Sequence, residues 1–95
     1  MSPERAFHIN DMLTTAWFMK NGIYSLDQGF PDLSGITLQE CVEATEFVRD
    51  HPPIPNPDGG QTIICHLDGD EIPATYAWVW SKNSLDRIVA KFGNN

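Results

Sequence analysis

Basic residues are scarce in this chain. Six Lys and Arg stand against thirteen Asp and Glu, for a formal charge of −7. A nucleic-acid binder needs a cationic footprint to displace counterions, and docking on anionic lipid needs one as well. Direct nucleic-acid and membrane partners are therefore expected to be excluded. Long apolar runs are missing too, since no stretch approaches the roughly 18 residues that span a bilayer. The opening Met1-Ser2-Pro3-Glu4-Arg5 does not lead into the apolar core of a secretory leader. Cysteine is limited to Cys41 and Cys65. Secreted domains of this size lean on several disulfides. Two lone thiols read instead as small buried apolar groups in a reducing, cytoplasmic setting.

Chemical motifs are equally sparse. His8, His51, His66 and the two cysteines never fall at zinc spacing such as CxxC or HxxxH, so no metal is expected. Asn56-Pro57-Asp58-Gly59-Gly60 lacks the Gly-Lys-Ser/Thr of a phosphate loop. Asp68-Gly69-Asp70-Glu71 resembles a fragment of a calcium loop without its further oxygen ligands, and reads as a polar hairpin tip. GxSxG and cysteine-protease signatures are absent. No catalytic residue and no cofactor are expected, and a non-enzymatic role is favoured over an enzyme.

What remains describes one small globular domain over residues 1–95. A chain of 95 residues leaves no room for a second core. A hydrophobic content of 41% is too high for a disordered tail. A first helix is predicted over Pro3 to Lys20, with Ser2 as N-cap, Pro3 at the first helical position and Asn21-Gly22 as the stop. Ile9, Met12, Leu13, Ala16 and Met19 form its apolar stripe, while Phe7 and Phe18 lie opposite and imply burial on two sides. Ile23 to Leu26 is β-tolerant, and Asp27 to Gly35 reads as loop.

The second helix has the clearest signature. Thr37 and Glu40 form a capping box, Ile36 can staple onto Cys41, and Leu38, Cys41, Val42, Thr45 and Val48 line one face. It must end near Asp50, because His51 precedes Pro52. His51 to Gly60 is a Pro/Gly-rich connector. Gln61 to Leu67 and Ile72 to Trp80 read as a hairpin closed at Asp68-Gly69. That turn sets Cys65 against Ile72, Ile63 against Ala74 and His66 against Glu71. It turns Tyr76, Trp78 and Trp80 into the core and leaves the end of the second strand overhanging. Pro73 marks an edge or a bulge. A last helix is predicted from Ser84 to Phe92, capped by Asn83.

The expected fold is therefore α+β, in the order α-(β)-α-β-β-α, with helices on one face of a short antiparallel sheet. Negative charge concentrates mid-chain. On a helical wheel Glu43, Glu46 and Asp50 share one arc, with Glu40 at its edge and Phe47 close by. Residues 52–72 add Asp58, Asp68, Asp70 and Glu71 with no base. An aromatic group among carboxylates suits a basic, partly apolar protein surface. The expected function is an acidic binding module with Glu40, Glu43, Glu46, Phe47, Asp50, Asp68, Asp70 and Glu71 as partner-binding residues. Its size and charge are those of small acidic inhibitors, including accessory proteins of mobile elements, and blocking a nucleic-acid-binding site is one concrete form. Two alternatives stand beside it. One is a small-molecule binder or enzyme with a pocket between the first helix and the Trp row, using Tyr76 and His66. The other is a structural subunit that forms a homodimer through an edge strand.

Overall fold

The first helix is built by local chemistry at both ends. In a computed structural model, α1 runs Pro3–Lys20. Ser2 Oγ accepts the Arg5 amide at 3.2 Å, and Pro3 occupies a position whose N–H would have no helical partner. At the far end the Asn21 amide and its Nδ2 both donate to the Trp17 carbonyl, at 3.0 and 2.9 Å. The structure describes residues 1–21, 31–52, 59–66, 74–81 and 83–84. Ile23 to Leu26, Asp68-Gly69 and the body of the last predicted helix lie outside the described residues.

Burial on two sides of α1 is observed. Ala6, Ile9, Leu13, Ala16 and Phe18 are all buried, whereas Met12 and Met19 are only half-buried. Leu33 and Ile36 join them from the segment before α2 (Leu38–Asp50). There Asp32 Oδ1 accepts the Ser34 amide and hydroxyl at 3.0 and 2.7 Å, and Gly35 takes a φ of +82° that a side chain would resist.

The capping box of α2 forms as expected, with Thr37 Oγ1 accepting the Glu40 amide and Glu40 Oε1 accepting the Thr37 amide, each at 3.1 Å. Its buried face is Cys41, Ala44, Thr45 and Val48. Leu38, expected on that face, is 48% exposed.

Two strands complete the described elements, and the helices pack with them as a small α+β domain. Strand β1 (Gly60–His66) pairs antiparallel with β2 (Ala74–Trp80). The register differs from the expected one by three residues. Cys65 faces Thr75 rather than Ile72, Ile63 faces Ala77, and His66 faces Ala74 rather than Glu71. An odd slip moves every side chain of a strand to the other face. Thr75, Ala77 and Val79 are accordingly buried with Cys65, while Tyr76 is 36% exposed and Trp78 and Trp80 are half-buried, edge-to-face at 6.3 Å.

The expected aromatic core row is thus an outer row. The overhang is absent as well, because pairing runs to Gly60 opposite Trp80. A turn at Asp68-Gly69 would set Pro73, which has no N–H to donate, opposite Ile64, whereas the observed register sets Tyr76 opposite Ile64. Gly60 fits the same register, since a Cβ there would lie 2.5 Å from the Val79 carbonyl oxygen. Past β2, Asn83 and Ser84 are helical, but the Ser84 amide donates to Ser81 Oγ at 3.3 Å. Ser81 therefore holds the cap position assigned to Asn83.

Both helices reach the far edge of β2 through polar side chains. Asn10 is buried, its Oδ1 accepting the Trp78 amide at 2.9 Å and its Nδ2 donating to the Trp78 carbonyl at 3.3 Å. Thr14 Oγ1 donates to the same carbonyl at 3.3 Å, and Thr45 Oγ1 to the Tyr76 carbonyl at 2.9 Å. These three side chains do what a third strand would do.

The register also makes a testable statement. Thr75 Oγ1 is buried with no hydrogen-bond partner among the described residues. Thr75→Val keeps the shape and removes the stranded hydroxyl, and is expected to stabilise by about 1 kcal/mol in urea or thermal melting. Tyr76→Thr, on the outer face, is expected to change stability by less than about 1 kcal/mol. The reverse ranking would restore the inward aromatic row.

Candidate interaction surface

The sequence-derived site residues of α2 come together on its outer side. Glu43, Glu46 and Asp50 are exposed, Phe47 is half-buried between them, and His51 follows at the C-cap. Their charges are not equivalent. Glu40 is committed internally. Its Oε1 takes the Thr37 amide and its Oε2 takes Arg5 Nη2 at 3.2 Å, which ties α1 to α2. The Thr37 amide first, and Arg5 second, hold the Glu40 carboxyl below the usual range. Asp50 is clamped by its neighbour, with Arg49 Nε on Oδ1 at 3.0 Å and Nη2 on Oδ2 at 3.4 Å, and is lowered by that bond. Among the described residues, Glu43 accepts from Gln39 Nε2 alone, at 3.3 Å. Glu46 makes no salt bridge among the described residues. Exposed ion pairs such as Arg49–Asp50 contribute little to stability. Among the described residues, Glu43 and Glu46 are the carboxylates of the arc that make no salt bridge.

Phe47 carries the apolar part of the face. Its ring meets Phe7 edge-on at 5.9 Å and stacks on His51 at 4.3 Å with 20° between the planes. His51 Nδ1 lies 3.0 Å from the Phe47 carbonyl, so that nitrogen carries the proton and the ring is held flat against Phe47. His51 therefore belongs to this surface, although wheel reasoning over the helix alone did not include it. Its signal was its place one turn beyond Phe47, at a helix end imposed by Pro52. Asp68, Asp70 and Glu71 lie outside the described residues.

The other face of the sheet carries Thr62 and Ile64 of β1 beside Tyr76, Trp78 and Trp80 of β2; Ile64 is 47% exposed, while both tryptophans are half-buried and Trp78 Nε1 is buried. The expectation of a pocket between α1 and the Trp row drew on an inward row, and the observed register turns that row to the face opposite Cys65, Ala77 and Val79.

Nucleophile chemistry finds little support in the thiols. Cys41 and Cys65 are free and fully buried. Burial first, and the nearby Cys41 second, push the Cys65 thiol from its ordinary 9.0 up to about 12, so it stays protonated and unreactive at neutral pH. Its Sγ–H donates to the Leu13 carbonyl at 3.5 Å, between β1 and α1. No three His, Cys, Asp or Glu side chains gather as a metal site among the described residues. None of the described helices is long and apolar enough to cross a membrane.

A raised thiol pKa favours the folded state below the unfolded value and loses that contribution as pH climbs through the folded one. Melting temperature is therefore expected to fall between about pH 9 and pH 12, with a shallower fall in Cys65→Ala. Ellman's reagent should react slowly with native protein and count two thiols after denaturation without reductant. Fast native reaction, or no thiols after denaturation, would contradict the buried free pair.

No protein-family model, curated protein or solved structure matches this chain, so its function is read from the geometry of these surfaces.

Proposed function

We propose that this chain is a small acidic, non-enzymatic binding module that docks on a basic protein surface through the outer face of α2. The observation that carries this reading is the exposed arc of Glu43, Glu46 and Asp50 around the Phe47–His51 stack. Glu43 with Glu46, and Glu46 with Asp50, are like-charge neighbours that each cost a helix a few tenths of a kcal/mol. Among the described residues, only Asp50 of the arc forms a salt bridge, with Arg49. Carboxylates left uncompensated beside an aromatic pair match a cationic partner with an apolar centre. A surface that binds nucleic acid is one such partner, and covering it would inhibit that binding. Asp68, Asp70 and Glu71 would extend the acidic face from the hairpin tip, and Glu40 would border it. Two free buried thiols in place of disulfides support a reducing compartment such as the cytoplasm.

The test compares wild type with a Glu43→Lys, Glu46→Lys double variant. Proteins retained from source lysate are identified, and a retained basic protein is titrated at two salt concentrations. Binding is expected to weaken with salt and to drop at least tenfold in the double variant, mainly through a slower on-rate. Glu46→Gln should leave the fold intact and reduce the salt dependence. Phe47→Ala should lower stability by about 2 kcal/mol, because its ring packs on Phe7 and the core. Equal binding by wild type and the double variant would overturn the reading.

A further inference from the structure

Asn21 closes α1, and its carboxamide is part of the closure. Its backbone amide and its Nδ2 both donate to the Trp17 carbonyl, at 3.0 and 2.9 Å. The residue is exposed, and its backbone stands at φ −97° and ψ 6°. Of the asparagines in the sequence, Asn21 alone precedes a glycine. That order is chemically fragile. With no Cβ on Gly22, little hinders its backbone nitrogen from reaching the side-chain carbonyl carbon of Asn21.

We propose that Asn21 is a self-modification site, where the C-cap of α1 governs conversion of the side-chain amide to aspartate and isoaspartate. The Gly22 nitrogen bonds to Asn21 Cγ, the Cγ–Nδ2 bond breaks, and ammonia leaves with the Gly22 amide proton. A five-membered imide results. Water then adds to one of its two carbonyls. Opening on one side gives aspartate at position 21, and opening on the other routes the main chain through the side chain as isoaspartate. Water is the only co-reactant.

The cap acts as a brake. Ring closure needs Asn21 Cβ and the following nitrogen nearly eclipsed about the Cα–C bond. A ψ of 6° instead sets that nitrogen close to eclipsing the amide nitrogen of Asn21 itself. The bond from Nδ2 to the Trp17 carbonyl ties the carboxamide back over the last turn. The helix end must therefore open first, and helix ends open at low free-energy cost. The product cannot rebuild the same cap. A carboxylate has no hydrogen to give the Trp17 carbonyl, and it adds negative charge at the negative end of the α1 dipole. Trp17 and the buried Phe18 stand edge-to-face at 5.3 Å in that last turn, so loosening it reaches the core. This site is independent of the acidic face of α2, and the two stand or fall separately.

Ageing the wild-type chain and digesting it with trypsin tests the proposal. The peptide from Asn21 to Arg49 holds no other asparagine. It is expected to gain the mass of an amide-to-acid change, with a fraction that an isoaspartyl methyltransferase labels. Conversion should be faster at mildly alkaline than at mildly acidic pH, because the attacking nitrogen must lose its proton. It should run several-fold faster in denaturing urea, where the cap no longer sets ψ. Gly22→Ala should slow it several-fold in both conditions. Amide exchange at Asn21 should quicken in aged protein and in Asn21→Asp. The comparison of native with unfolded wild type needs no variant to fold. A native chain that stays unconverted while the unfolded chain converts would overturn the modification site. Equal rates in the two states would overturn the braking role of the cap.

Discussion

The Asn10 carboxamide is the constraint on which the rest of the described structure depends. It sits in the buried stripe of α1 and mimics a peptide group, accepting the Trp78 amide and donating to the Trp78 carbonyl. A buried backbone group left without a partner costs about 1–3 kcal/mol, so a register that separated Trp78 from Asn10 would lose a large share of the stability of a small domain. Thr14 and Thr45 reinforce the same edge from both helices. Once Trp78 points its backbone at α1, the alternation of the ladder settles which residues of both strands face the helices. Thr75, Ala77 and Val79 go in, and Tyr76, Trp78 and Trp80 go out.

Much of the surface chemistry follows from that choice. Small inward residues on β2 let α1 and α2 approach the sheet closely, and the two thiols become part of the packed layer rather than reactive groups. The helix pair is joined to itself by the Arg5–Glu40 contact and the Phe7–Phe47 ring contact. That engages Glu40 and half of Phe47, while Glu43 and Glu46 make no salt bridge among the described residues. On the β2 side of the sheet, Asn10, Thr14 and Thr45 cover the Trp78 amide and carbonyl and the Tyr76 carbonyl.

Local features were legible in the sequence because their partners are close in the chain. Ser2 with Arg5, Thr37 with Glu40, and the stop at Asp50 before Pro52 all form as read. The acidic arc was legible for the same reason, since a helical wheel needs only the helix. Strand register was not. Asp68-Gly69 is a strong two-residue turn signal, but the observed register sets His66 against Ala74 and gives Trp78 to Asn10. Asn10, Thr14 and Thr45 were the available clue. Each is a polar residue within or beside an apolar helical stripe, where a side chain that bonds to something distant is the physical explanation. Phe47 was ambiguous for a similar reason, as its half-burial depends on Phe7, forty residues away.

Hydrogen exchange at the Trp78 amide tests the central constraint most directly. That N–H points away from β1, and Asn10 Oδ1 is its acceptor. The Trp78 amide is expected to be protected to nearly the level of global unfolding. It should become fast-exchanging in Asn10→Ala. Rapid exchange at Trp78 in the wild type, or protection that survives Asn10→Ala in a folded protein, would contradict the account.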